Sequence, residues 1–194
     1  MKRFFVIVIA LVAVLSGFAD ERGMEMLQRI SRRYNSLGSY RLSFTITMGD
    51  GSMGDGVLSV AGNNLYMKMA DNEIFVEDSV RYEVRARQRE IVVDRADAYD
   101  NEAFNPLKGV DKLNQSYDVA YDEASRLLRL TPKSGNGDAV SIYVAVDGES
   151  VERVVVGSGD GSISIGVGQA RYTQQSMPRF DKASYAGFEV IDFR

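Results

Sequence analysis

Residues 39 to 48 read SYRLSFTITM, and this stretch decides the fold class. Every second residue from Tyr40 to Met48 is apolar, and the residues between them are polar or charged. Successive side chains of a β-strand point to opposite faces, so this alternation indicates a strand with one buried face. The segment therefore predicts a half-buried strand over residues 39–48.

A helix is predicted immediately before this strand. Gly38 is placed to end it, and Arg29, Arg32 and Arg33 fall on its polar side. The apolar residues recur at a spacing of three to four, which is the period of one helical face. They are Met24, Leu27, Ile30, Tyr34 and Leu37.

The beginning of the chain has the order of a secretory signal peptide. Lys2 and Arg3 precede an apolar run over 4–15, and small residues follow over 16–19. The alternative is a membrane anchor, but the run over 4–15 is shorter than the roughly 20 residues that a spanning helix needs. We therefore expect cleavage of residues 1–19 before Asp20, leaving residues 20–194 as a single periplasmic domain.

Composition excludes several classes of function. The chain has 23 Lys and Arg against 27 Asp and Glu, and the loss of Lys2 and Arg3 would leave a formal charge of −6. An acidic protein lacks the electrostatic footprint of a nucleic-acid partner or of an anionic membrane surface. The chain contains no His and no Cys, which removes histidine-dependent nucleophiles, thiolate zinc sites and disulfides. We expect a monomer without a cofactor.

Short strands with turn signals between them follow residue 48. Gly62-Asn63-Asn64, Asp71-Asn72, Asp147-Gly148 and Asp160-Gly161 mark turns. Together with residues 39–48 the pattern gives on the order of eleven or twelve antiparallel strands, which is typical of a sandwich or a barrel. The further strands are predicted at residues 56–61, 65–70, 73–77, 80–87, 90–94, 117–121, 126–131, 139–146, 151–157, 162–167 and 188–191.

Residues 95–116 interrupt this series because they are too long for a hairpin. Asn105-Pro106 before Leu107, Val110 and Leu113 predicts a short helix that Pro begins. Long connections in compact β-proteins are often functional lids, and the apolar face of this segment favours that interpretation. The alternative is a surface excursion that plugs one end of the sheet.

Candidate catalytic and phosphate-binding motifs are weak. Asp94 and Asp97 are the only carboxylate pair we single out for glycosidase-type chemistry, and charged residues at a strand end are far commoner. Residues 49–54 match G-x-G-x-x-G, but a strand follows them where the dinucleotide fingerprint requires a helix, so they predict a hairpin loop. The turn over 157–161 lacks the ordered ligand pattern of a calcium site. We expect no enzyme and no metal site.

Several stretches of the chain resemble the LolA-like family of periplasmic outer-membrane lipoprotein carriers. The resemblance lies in the order and spacing of these stretches and covers most of the chain after the signal. They are LGSYRLSFT at 37–45, GVLSV at 56–60, Asn105-Pro106-Leu107, LTPK at 130–133 followed by Asn136-Gly137, and FEVI at 188–191.

The resemblance implies a mainly β fold, an incomplete antiparallel barrel of about eleven strands covered by an N-terminal helix and a lid helix. It implies a chaperone that shelters the acyl chains of lipoproteins and shuttles them from the inner to the outer membrane. The implied partners are acylated lipoproteins, an inner-membrane lipoprotein-releasing ABC transporter and an outer-membrane acceptor. The family often has an Arg-Pro pair after the second strand, where the Arg latches the lid; this chain has Gly62-Asn63 there.

A lipid-binding cavity is expected on the apolar face of the first strands. A lipidated protein in water must shelter its acyl chains, because their exposure to water costs about 0.8 kcal/mol per CH₂. The predicted cavity wall is Leu42, Phe44, Ile46, Met48, Leu58, Val60, Leu65, Met67 and Met69. The predicted cover is Met24, Leu27, Ile30, Tyr34, Phe104, Leu107 and Val110. Plain core packing is the alternative for each residue. A lipid or lipoprotein sensor with the same fold stays open, and a hydrolase would need a polar cleft that the sequence does not reveal.

Overall fold

The computed structural model describes residues 21–49, 51–96, 113, 115–134, 137–157 and 161–194. Helix α1, Glu21–Ser36, comes first and buries Leu27 and Ile30, as its apolar period predicts. Gly38 follows the helix closely, and its φ of 65° is the left-handed conformation that glycine adopts without strain after a helix end. The predicted N-terminal helix is therefore confirmed.

Six strands follow as a meander of hairpins. Three of the hairpins close with two residues, and the first of the two has positive φ: 58° at Gly62, 49° at Ala70 and 54° at Asp78. This geometry matches the twist of the flanking strands. The strands are β1 Ser39–Met48, β2 Gly51–Ala61, β3 Asn64–Met69, β4 Asn72–Glu77, β5 Val80–Arg85 and β6 Glu90–Arg95.

A second meander returns the chain to β1. Its last strand pairs with β1 in antiparallel register, Phe44 opposite Val167, so that the two meanders form one sheet. The strands are β7 Tyr117–Asp122, β8 Leu127–Pro132, β9 Val140–Val144, β10 Val151–Val156 and β11 Ile163–Val167.

Two short strands and one turn of 3₁₀-helix complete the described part. Strand β12, Arg171–Tyr172, pairs with the start of β1, and the 3₁₀-helix spans Lys182–Tyr185. Strand β13, Glu189–Asp192, pairs with β6. The strand order is β13-β6-β5-β4-β3-β2-β1-β11-β10-β9-β8-β7, an open sheet with β13 and β7 at its edges. Among the described residues, no helix combines the length and apolar content needed to cross a bilayer.

Each face of this sheet is covered by a different part of the chain. We call the face on which α1 packs the inner face; its core joins Leu27 and Ile30 to Leu42, Phe44 and other strand residues. The opposite, outer face carries Phe75 and Tyr82, and the segment over 173–188 packs on it through aromatic side chains. The sheet is therefore buried on both sides over part of its area.

The structure departs from the sequence-based expectations in two places. The described sheet has thirteen strands rather than about eleven, and β13 runs parallel to β6 although all pairs were expected to be antiparallel. Most of the predicted loop over 49–54 is strand, because β2 already begins at Gly51, opposite Met48. The ladder of β1 supplies hydrogen-bond partners to this stretch, which outweighs the low strand propensity of glycine.

Candidate functional site

The predicted cavity-wall residues share the inner face, because directly opposite residues of an antiparallel pair point to the same side. One row across the sheet runs through Leu42, Leu58, Met67 and Ile74. The neighbouring row runs through Tyr40, Val60, Leu65 and Val76, and a third through Phe44, Gly56 and Met69. Whether these residues contact lipid stays a prediction.

Helix α1 covers one part of this face. Its Leu27, Ile30 and Tyr34 are buried in the same core as Leu42 and Phe44. The Tyr34 ring meets that of Tyr40 edge-on with centroids 5.4 Å apart, and the Val151 backbone N–H donates to the Tyr34 hydroxyl at 3.3 Å. Burial raises the pKa of Tyr34, and it raises the pKa of Tyr40 to about 12. Both hydroxyls are therefore neutral at physiological pH.

Part of the predicted wall is only half-buried. We call Ile46, Leu58, Met67 and Met69 the apolar strip. All four keep some exposure to solvent and pack against the core between α1 and the inner face, which we call the helix-side core. Gly54 lies opposite Ile46 and Gly56 lies opposite Phe44, whose ring covers Gly56. The strip is an adaptable apolar surface beside the helix, and two of its four residues are flexible methionines.

The other predicted site residues divide between this region and undescribed parts of the chain. Met24 lies partly buried against the same core, while Met48 is 42% exposed at the end of β1. Phe104, Leu107 and Val110 lie outside the described residues, as does the signal segment over 1–19. Leu113, at the end of the predicted lid, is buried in the helix-side core.

A charged zone that the sequence pattern did not predict lies on the inner face. Arg81 lies opposite Val76, Glu83 opposite Ile74, and Arg85 opposite Asn72, so β5 continues the apolar rows with charged side chains. On β6 the same rows end in Asp94, Val92 and Glu90. We call Arg81, Glu83, Arg85, Glu90 and Asp94 the charged strip.

Ion pairs connect the charged strip. Glu83 accepts hydrogen bonds from Arg81 at 2.5 Å and from Arg85 at 2.8 Å, and an Arg85 nitrogen lies 3.8 Å from Glu90. Burial by itself would raise the pKa of Glu83, but the hydrogen bond from Arg85 and the charge of Arg81 hold it below the usual value. Arg81 is only 5% exposed and Asp94 only 7%.

A second carboxylate, Glu73, organises the outer face. It accepts hydrogen bonds from the hydroxyls of Tyr185 at 2.5 Å and Tyr66 at 2.9 Å, and from Lys68 Nζ at 3.0 Å. Burial by itself would raise the pKa of Glu73, but these three hydrogen bonds keep it below its ordinary value. Because Tyr185 belongs to the C-terminal segment, Glu73 fastens that segment to the sheet.

The candidates for catalysis or metal binding gain no support from this geometry. Asp94 faces Arg81 across the β5–β6 pair, and Asp97 lies outside the described residues. In the part of the chain that the structure describes, no three potential carboxylate, thiol or imidazole ligands come together. A surface cleft of about 410 Å³ lies elsewhere, on the polar side of α1, lined by Arg29, Arg32, Arg33, Ser36 and Glu149.

Proteins similar to this chain were found among solved structures and not among family models or curated sequences. No protein-family model matches this chain, and no curated protein matches it. An uncharacterized conserved protein from Thermus thermophilus superposes with a TM-score of 0.54 at 9% identity, over 87% of this chain and 98% of that one.

Two further solved structures have lower scores. A LolA superfamily protein from Nitrosomonas europaea is similar with a TM-score of 0.43 at 10% identity, over 79% of this chain and 94% of that one. The Mycobacterium tuberculosis lipoprotein LppX gives a TM-score of 0.42 at 11% identity, over 80% and 98%. The N-terminal helix and the open, mainly antiparallel sheet agree with the fold that the resemblance in sequence implies.

Proposed function

We propose that this protein is a periplasmic chaperone that shelters the acyl chains of lipoproteins on its inner face and carries them from the inner to the outer membrane. The observation that carries the proposal is the apolar strip, a half-buried apolar surface that lies directly beside helix α1. The resemblance to lipoprotein carriers supplies the class of cargo. The mature protein would be the single domain over 20–194.

The strip suits a mobile acyl chain for a physical reason. Sheltering a chain removes about 0.8 kcal/mol of unfavourable hydration per CH₂, whatever the chain's exact position. Methionine side chains have three rotatable bonds and adjust to irregular apolar partners. Met67 and Met69 therefore allow contact with different acyl chains without a rigid pocket.

Helix α1 is suited to act as the cover. Its attachment to the sheet is mainly apolar, through Leu27 and Ile30, with the hydrogen bond between Tyr34 and Val151 as a polar contact. Because apolar contacts are non-directional, acyl chains can take the place of α1 against the sheet at little net cost in free energy. We expect the acyl chains of the cargo to bind to the part of the inner face that α1 uncovers when it moves away.

The first test compares two neighbouring residues on opposite faces of β3. Met67→Gln places an amide of similar size in the apolar strip, whereas Lys68→Gln places the same amide on the outer face. Burying an amide without a hydrogen-bond partner is unfavourable, so Met67→Gln should weaken binding of a fluorescent acyl probe about tenfold. Lys68→Gln should bind like the parent. Equal binding by folded variants, checked by circular dichroism, would contradict the acyl site.

The second test immobilises the cover. A Cβ built on Gly23 of α1 would lie 3.0 Å from a methyl carbon of Val119 on β7, so cysteines at both positions are within reach of a disulfide. The chain has no cysteine to interfere. The oxidised protein should lose probe binding and regain it on reduction. If oxidised and reduced forms bind alike, α1 is not the cover.

Transfer distinguishes a carrier from a sensor with the same fold. A carrier should accept acylated lipoprotein from an inner-membrane ABC exporter and release it to outer-membrane acceptors. A sensor should retain it. Loaded protein mixed with outer-membrane vesicles, followed by sedimentation, measures the released fraction, and retention of the cargo would favour the sensor.

A further inference from the structure

The inner face changes from apolar to charged between β4 and β5, a boundary that core packing does not require. Ile74 on β4 lies directly opposite Glu83 on β5, and Val76 lies directly opposite Arg81. Met67 of the apolar strip and Glu83 of the charged strip are two strands apart, about 10 Å at the usual strand spacing. An apolar surface and a network of charges therefore lie side by side within the length of one small amphiphile.

The charged strip is graded from buried to exposed. Its Arg81 and Asp94 end is 5% and 7% exposed, while the side chains at the other end, Arg85 and Glu90, are 40% and 31% exposed. Glu83 lies between them and is bonded to both arginines. A polar group could therefore reach Glu83 from solvent along Arg85 and Glu90.

Stability alone is a weak reason for such a network. Replacing buried ion pairs by apolar residues of similar volume is often neutral or stabilising, because charged groups lose hydration when buried. The rest of the same rows shows that apolar residues fit this face: Leu65 and Val76 precede Arg81, and Met67 and Ile74 precede Glu83. The charges then favour a polar ligand group.

We propose, on the basis of the proposed function, that the charged strip binds the polar head of the acylated ligand while the acyl chain lies on the apolar strip. The strip offers both hydrogen-bond donors and acceptors, and its three carboxylates outnumber its two guanidinium groups. An additional anion would increase the excess of negative charge. The preferred ligand is an amphiphile with an uncharged head that carries hydroxyl and ester groups, in preference to a free carboxylate.

The experiment uses three probes with the mature protein. A pyrene-labelled monoacylglycerol has an uncharged hydroxyl head, a pyrene-labelled fatty acid of the same chain length has a carboxylate, and diphenylhexatriene has no head. The parent should bind the monoacylglycerol about tenfold more tightly than the fatty acid, the size of effect that one or two hydrogen bonds to charged groups give. Glu83→Gln should remove most of this preference and leave diphenylhexatriene binding unchanged.

The matched control is Glu73→Gln on the neighbouring strand β4. The side chains of Glu73 and Glu83 are 18% and 19% exposed, and both accept bonds from basic residues, but Glu73 faces outward. Its replacement should change none of the three affinities. If Glu83→Gln does not fold, Glu90→Gln at the exposed end of the strip tests the same proposal, with the same loss of preference expected because it also removes a carboxylate.

The outcomes separate this proposal from the proposed function. If the parent binds none of the three probes, the acyl-binding function itself fails. If it binds diphenylhexatriene and both pyrene probes without preference, or prefers the fatty acid, acyl binding stands and the head site is overturned. An equal loss of all three probes in Glu83→Gln also overturns it, because a merely structural role would have that effect.

Discussion

The ring of Phe44 on β1 lies over Gly56, the residue directly opposite it on β2. A Cβ atom at Gly56 would stand 2.7 Å from Phe44 Cε2 and 2.7 Å from the backbone oxygen of Lys68. Glycine is therefore required at this position by packing. The contact fixes the Phe44 ring at the edge of the apolar strip.

Gly56→Ala should destabilise the fold by about 1–3 kcal/mol, the usual cost of overpacking a core, because the Lys68 backbone cannot move away. Gly166→Ala on β11 is the control. Its Cβ would have only the Thr45 carbonyl oxygen near it, at 3.8 Å, so it should be neutral or slightly stabilising. Urea unfolding of the three proteins measures the difference, and equal midpoints would show that Phe44 moves aside freely.

Tyr34→Phe should weaken the attachment of α1 to the sheet. The change removes the acceptor of the Val151 N–H and should cost about 0.5–1.5 kcal/mol of unfolding free energy. Tyr121→Phe is the comparison, since the Tyr121 ring packs against the same core and no bond to its hydroxyl exists within the described residues. Under the carrier proposal, Tyr34→Phe should also bind acyl probe at least as well as the parent. A less stable variant with weaker binding would contradict the role of α1 as cover.

Acid should loosen the attachment of the C-terminal segment. The pKa of Glu73 is lowered from its ordinary 4.5, so the stability that its charge contributes is complete above that pH and declines as pH falls through the lower, folded-state pKa. Glu73→Gln should be less stable at pH 7 by about 1–3 kcal/mol, because an amide cannot satisfy three donors. Its unfolding midpoint should also depend less on pH below about 4.5. Parallel slopes of the two proteins in acid would exclude Glu73 as a titrating contributor.

Cleavage of the signal segment is tested by mass. Expression in a Gram-negative host with fractionation should give a periplasmic protein that begins at Asp20, as the small residues at Gly17 and Ala19 predict. Intact-mass analysis identifies the first residue directly. Recovery of the uncut chain with the membranes would instead support the anchor.

Local sequence was sufficient where one element's own pattern fixed its structure. The alternation over 39–48 predicted the bounds of β1, and the period of the apolar residues predicted α1 with Gly38 as its end. The turns were predicted less completely than the helix and the strand. Gly62-Asn63 was recognisable as a tight turn, but the turn that Asp78 begins with positive φ carries no strong local signal.

Strand β5 shows why the candidate site was only partly predictable. Val80, Tyr82 and Val84 alternate with Arg81, Glu83 and Arg85, so the sequence by itself determined that β5 is a strand with one apolar and one charged face. It did not determine which face is inside. The apolar face would ordinarily be assigned to the core around α1, yet it points outward and packs against Phe180 and Tyr185.

Only the tertiary structure decided this orientation, because the cover of the outer face comes from about a hundred residues further along the chain. The Phe180 backbone N–H donates to Glu77 at 2.6 Å, and its ring stacks on Tyr82 with centroids 4.1 Å apart. With that face covered, the register of β5 turns Arg81 and Glu83 inward, next to Val76 and Ile74. Periodicity fixes the two faces of a strand, whereas burial of each face depends on which distant segment packs against it.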